Sequence, residues 1–359
     1  MDCEMHLCLR NSMKIPRWAG MFPVEGLNKK DIGELRFNMK SFYTLYYLST
    51  IFLQTVMTGL ITYWFLSNDI NLLTLSILAF YVTGITSAIL LLKLAREWPG
   101  LIRRAAYIER RAAAIRVNKI RSTKFTTITY VVLTLAVIEH LLSLVYKVKN
   151  VLFCQDVDND PRTYVELYFS RMFPFVFEYI PINFFSMGIC VLANLQATFL
   201  WNFTDVMTMC FSLYLISYFQ DFNALLDSQR NKKTQEWEQL RIYYSKLVAL
   251  VQAVDSKMCY LIFTSILTNL FFICLQFYYT LSYGVILKIA IACPRLHLQH
   301  QDIRNIDRGV NLVYYTFSSM FLVIRAMTML FLAANVHAAA VKPKYALNWV
   351  SHTEYNIHV

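Results

Sequence analysis

Residues 197–209 read ATFLWNFTDVMTM, inside an apolar stretch from about Met172 to Phe219 whose second half carries one bare carboxylate, Asp205. The number of times this stretch crosses a bilayer decides the fold. As a single helix it is about 70 Å long at ~1.5 Å per residue, against a hydrocarbon core of roughly 30 Å. Two crossings reverse everything downstream and carry the 213–257 segment to the opposite side. Pro174, Pro181 and Glu178 favour one crossing: 166–185 then packs above the membrane as an outer structure, and one span follows from about Phe185.

Composition supports the membrane reading. Apolar residues make up 57% of the 359 and charged residues 16%, and the mean hydropathy is +0.41. Soluble domains carry about 25% charged residues. Backbone groups in lipid must be satisfied internally, so apolar runs of this length are helices. The sequence therefore predicts an all-α, polytopic helical membrane protein with spans at about 41–66, 70–94, 125–146, 186–212, 258–286 and 310–341. Together these form one bundle over 41–341, after a 1–40 N-terminal segment and before a 342–359 tail. The first forty residues mix five acids with seven Lys/Arg and hold no apolar core of a cleavable signal peptide.

Loop charge orients the bundle. The N-terminal segment has seven Lys/Arg, the 93–124 loop ten and the 213–257 segment six, against none at 67–69, four at 147–171 and four at 287–309. The excess marks the cytoplasmic side, which places the N-terminus inside. The net charge of +11 is thus a topology signal, divided among short loops, and does not point to nucleic acid.

Other motifs are sparse. There is no Walker loop, GxGxxG, HExxH or GxSxG, and nothing suggests catalysis, a metal or a cofactor. Cys154 and Cys293 fall in two outer loops and are able to pair, without any spacing that supports a disulfide framework; the other cysteines read as buried free thiols. The sequon Asn202-Phe203-Thr204 lies inside a span, out of reach of glycosylation.

Ionisable groups at membrane depth are what remain: Glu139 and His140 in AVIEHLLSL, Asp205, and Arg325 in FLVIRAMTM. Charges there are costly and face the bundle interior or a watery cavity, paired. Asp205 and Arg325 lie at similar depth on antiparallel spans, which suits a structural ion pair; a gating or binding role is the alternative. Glu139 and His140 lie in the outer half, where they either brace neighbouring helices or face a ligand. Aromatic residues with polar neighbours are further candidates for an outer pocket: Tyr63 and Trp64, Tyr179 and Asn183, Asn269 and Gln276, Asn311 and Tyr314. Flat aromatic faces beside carboxylate and amide groups suit polar rings such as sugars.

Five ordered segments carry a family resemblance: FPVEGL…ELRFNMKSFYTLYYL at 22–48, IEHLLSL at 138–144, LQATFLWNFTDVMTMCFSLYLISYFQDFN at 195–223, LRIYYSKLVALVQAVDSKMCYLIFTSILTNLFFICLQ at 240–276 and SSMFLVIRAMTMLFLAANVHAAA at 318–340. Together they resemble the sugar-receptor branch of the insect gustatory receptors, from about residue 16 to 341. The resemblance implies seven spans with an intracellular N-terminus and a plasma-membrane, ligand-gated cation channel. It also implies a homomeric or mixed tetramer of gustatory receptor subunits, each binding sugar in its outer half, with the last helix lining the pore. Glu139, His140, Trp201 and Asp205 fall in matching motifs.

The family continues past the sixth span with a cytoplasmic helix and a final membrane helix, whereas 341–359 read VKPKYALNWVSHTEYNIHV and do not match. On this resemblance the chain as written lacks the pore helix and is expected not to conduct alone. Its tail is expected in the cytosol or along the inner membrane face. The competing classes are a secondary transporter for small polar solutes, which calls for an internal repeat with broken helices, and a membrane-embedded enzyme, which calls for a nucleophile or metal cluster. No internal repeat is visible, and of a nucleophile or metal cluster only the lone pair Glu139-His140 qualifies.

Overall fold

The computed structural model describes residues 3–68, 71–112, 122–153, 163–229, 237–286 and 301–348. They form helices α1 (Glu4–Trp18), α2 (Phe42–Ser67), α3 (Leu72–Ala112), α4 (Ser122–Phe153), α5 (Tyr164–Met172), α6 (Pro174–Phe177), α7 (Phe184–Gln229), α8 (Trp237–Ile286) and α9 (Gln301–Asn348). Six of these, α2, α3, α4, α7, α8 and α9, are long and apolar enough to cross a membrane. Cys154 and Cys293 lie outside the described residues.

The stretch that opened the question holds one crossing helix, α7. Its start is set locally: Asn183 Oδ1 accepts from the Ser186 N–H at 2.9 Å, and Ser186 Oγ accepts from the Asn183 N–H at 3.1 Å. This reciprocal cap satisfies donors that the first turn would otherwise leave bare. The segment before it is two short helices rather than a span. Thr163 and Glu166 form a capping box at the head of α5, and Pro174 opens α6, where its missing N–H costs nothing.

Four helices are far longer than a bilayer requires. α3, α7, α8 and α9 run 41, 46, 50 and 48 residues, or at least about 60 Å each at ~1.5 Å per residue. The 93–124 loop is therefore helical through Ala112. Its apolar residues Leu94, Trp98, Leu101, Ile102, Ala105 and Ile108 recur at helical spacing and are all buried. At the other end of the chain, α9 runs past 341 to Asn348, held by Tyr244 Oη donating to the Ala340 carbonyl at 3.0 Å. The helical extensions form a second storey, and α1 packs into it through Met5, Leu9 and Met13, spaced four apart and all buried.

A turn at Gly26 shapes the link from α1 to α2. Gly26 has φ of +80°, and a Cβ there would sit 2.3 Å from the Glu34 carbonyl oxygen. The residue thereby lets the antiparallel bridge Glu25–Arg36 close. At the opposite end a smaller core of Met57, Ile61, Tyr81, Phe175 and Cys190 joins α2, α3, α6 and α7. Buried polar ties cross between helices at mid-height. Gln54 Nε2 donates to the Ala193 carbonyl at 2.8 Å, and Tyr47 Oη donates to the Ala88 carbonyl at 2.6 Å.

Candidate functional site

Near the end remote from α1, the helices part around a cavity of about 650 Å³. The start of α3, the second half of α4, α5, the first half of α7, the second half of α8 and the first half of α9 line it. On α4 the spacing of four residues puts Glu139, Ser143 and Lys147 on one face, and all three line the cavity together with His140 and Tyr146.

The wall combines aromatic faces with a chain of hydrogen-bonding groups. Tyr146 stacks on Tyr314 with ring centroids 4.8 Å apart and planes 17° apart, and its hydroxyl lies 3.0 Å from that of Tyr315. Ser318 on α9 donates to Glu139 Oε1 at 3.0 Å and accepts from Gln276 Nε2 at 3.1 Å. One serine hydroxyl thus ties α4, α8 and α9 together at the lining.

Beneath that wall lies a buried charge cluster. Arg325 Nε is 2.8 Å from Asp205 Oδ2, with side chains 3% and 0% exposed. Its other nitrogens donate to Asn269 Oδ1 at 3.1 Å and to Asn202 Oδ1. The guanidinium also lies over the rings of Trp201 (4.6 Å) and Phe321 (5.1 Å), contacts that favour a cation. Asp205 accepts from the Ser265 hydroxyl and from Asn269 Nδ2. Trp201 in turn donates from Nε1 to Asn269 Oδ1 at 3.2 Å. Because Trp201, Asn202 and Arg325 also line the cavity, this cluster is both an interhelical brace and the cavity floor.

Of the residues singled out in the sequence, Glu139, His140, Gln276 and Tyr314 line the cavity, as does Arg325. Asn269 and Asp205 lie directly behind the floor. Tyr63 and Trp64 on α2, and Tyr179 and Asn183 between α6 and α7, are not on the lining. Tyr63 meets Tyr179 edge-on at 5.6 Å, and both are exposed. Trp64 Nε1 donates to Glu178 at 2.8 Å, and Asn183 is spent capping α7. The side chain of Asn311 lies outside the described residues. Lys147, Ser318 and Asn202 were not picked out. The signal for Lys147 was there, two turns along the face of Glu139. Asn202, read only as a chance sequon, holds the arginine. Among the described residues no three His, Cys, Asp or Glu side chains are grouped to hold a metal ion.

The thiols of Cys3, just before α1, and Cys8, within it, are chemically quiet. Burial, with Glu109 nearby, pushes Cys8 up to about 12, and Cys3 is raised for the same reasons. Neither supplies thiolate at neutral pH.

The fold and the sequence both have relatives. A family model described as trehalose receptor matches residues 2–292. Gustatory receptor for sugar taste 64f of Drosophila melanogaster is 25% identical over 347 residues, covering 94% of this chain and 67% of that protein. Gustatory receptor 5a for trehalose, also of Drosophila melanogaster, is 25% identical over 366 residues, covering 100% of this chain and 76% of its own length. The insect olfactory receptor OR5 from Machilis hrabei superposes with a TM-score of 0.61 at 12% identity, over 93% of this chain and 80% of that one. That likeness speaks for the fold alone. With the family model matching most of its length, the chain belongs to the trehalose receptor family, in the sugar branch of the insect gustatory receptors.

Proposed function

We propose that the chain is a subunit of a sugar-gated cation channel in the plasma membrane, and that the cavity beside Glu139 holds the sugar. One observation carries the reading: the stacked pair Tyr146 and Tyr314 stands beside a line of hydrogen-bonding groups, Glu139, Ser318 and Gln276. A pyranose ring has C–H faces that pack on tyrosine and an equator of hydroxyls that needs acceptors and donors. The volume is in the range of small-molecule pockets. The relatives' named roles in sugar taste support the same ligand class, and the family resemblance of the sequence supports gating within a homo- or hetero-tetramer of gustatory receptor subunits. Tyr63, Trp64, Tyr179 and Asn183 lie outside this proposed site.

The test is the sugar response of cells expressing the chain, alone or beside a second subunit of the family. Glu139→Gln removes the charge while keeping the shape, so one charge-assisted hydrogen bond to a hydroxyl becomes a neutral one. The half-maximal sugar concentration is expected to rise about tenfold. An unchanged dose–response curve would take the sugar away from this cavity.

The reading also requires the cavity end to face outward, which the Lys/Arg bias supports. Glycosylation sequons inserted near Asp158 are expected to be modified, and ones near Arg111 are not. The reverse pattern would invert the molecule.

A further inference from the structure

Resting on that sugar site, we propose that the preferred ligand is an acidic sugar, a polyhydroxy ring bearing one carboxylate, with Lys147 as its counter-ion. Among the described residues the charges on the cavity lining do not balance without such a group. Arg325 is neutralised by Asp205. Among the described residues Glu139 is the one carboxylate on the lining, which also carries two further cations, Lys147 and Arg171.

Lys147 is the telling one. It lines the cavity, it senses Glu139 electrostatically, and among the described residues it has neither a hydrogen-bond acceptor nor an ion-pair partner. Glu139 cannot serve that purpose closely. It sits eight residues away on the same helix, about 12 Å along the axis at ~1.5 Å per residue, and it already accepts from Ser318. An ammonium that lines a cavity without a counter-charge is costly to desolvate, and a negative group on a ligand would relieve that cost. The excess is a single positive charge, which a carboxylate matches. A phosphate ester, at about −1.5 to −2, overshoots it. The sugar ring would then lie along α4, its acid group at Lys147 and its hydroxyls toward Glu139, with Tyr146 and Tyr314 against its faces.

The experiment uses the full chain in lipid nanodiscs, with Trp201 in the lining as an intrinsic fluorescence reporter and thermal melting as a second readout. The probes are glucose, glucuronate and the uncharged glucuronamide. Glucuronate is expected to bind about tenfold tighter than either neutral probe. Lys147→Gln is expected to abolish that preference, bringing the glucuronate and glucuronamide affinities together, and Lys147→Arg to keep it. Comparing the three probes on the unaltered protein preserves the test if Lys147→Gln fails to fold. Glucose binding as tightly as glucuronate, or a preference that survives Lys147→Gln, overturns the proposal and leaves the sugar site standing. Acetate competing as well as glucuronate also overturns it, since the site would then read charge alone. Binding of no probe at all overturns the sugar site itself and the proposal with it.

Discussion

Asp205→Ala is expected to destabilise the folded bundle by about 3–5 kcal/mol, the cost of leaving one partner of a buried ion pair alone in low dielectric. Arg325 would keep only the neutral oxygens of Asn202 and Asn269 and the faces of Trp201 and Phe321. None of these carries a compensating charge. Arg325→Ala strands Asp205 in the same way, with the Ser265 hydroxyl and the Asn269 amide as its remaining donors. The double exchange Asp205→Arg with Arg325→Asp is expected to recover part of the loss. Asparagine amides can turn over and a serine hydroxyl can rotate to suit the reversed charges, but the aromatic faces that favour the cation would not follow. Melting temperature in detergent and the amount of protein labelled at the cell surface report the effect. Single substitutions that leave both unchanged would falsify the brace.

That six helices are long and apolar enough to cross was legible because a bilayer imposes a hard length and a hard apolarity on each span. The helical extensions were not, for the opposite reason. In α3 the stretch after Lys93 is rich in Arg, which reads as a loop under a charge count. Yet Trp98, Ile102 and Ala105 bury one face while the arginines take the others. The same holds for α1, whose Met5, Leu9 and Met13 stripe was hidden within a segment of mixed charge.

The candidate site divides similarly. Glu139, His140, Asp205 and Arg325 stand out because a charge inside an apolar run is costly and visible. Ser318 and Asn202 do not, since a hydroxyl or amide in a span costs little, and only the fold shows which partners they join. Tyr63 and Tyr179 stand out by residue type alone, and type does not say that α2 and the turn after α6 lie off the lining. The acceptors and donors that matter are set by helix phase between neighbours.

Loss of Glu109 is expected to release α1 from the bundle without unfolding the spans. Its carboxylate accepts from the backbone N–H of Glu4 at 2.7 Å, from that of Met5 at 2.8 Å and from Tyr214 Oη at 2.6 Å. α3 thus supplies the N-terminal cap that α1 lacks, and it does so with a negative charge at the positive end of the helix dipole. Glu109→Ala removes the cap and leaves the Tyr214 hydroxyl and two amide donors bare. A cap is worth about 1 kcal/mol and each stranded donor about 1–3 kcal/mol, so a local cost of about 2–4 kcal/mol follows once water reaches the exposed helix start. Glu109→Gln is expected to be nearly as harmful, because an amide keeps one acceptor but points an N–H at another N–H. Protease sensitivity and amide hydrogen exchange over residues 4–18 are the readouts, with melting of the spans as the control. In either variant, exchange in α1 should rise while the spans of α7 and α8 remain protected. Unchanged protection of α1 would mean that Met5, Leu9 and Met13 hold the helix by packing alone, and that the carboxylate is dispensable.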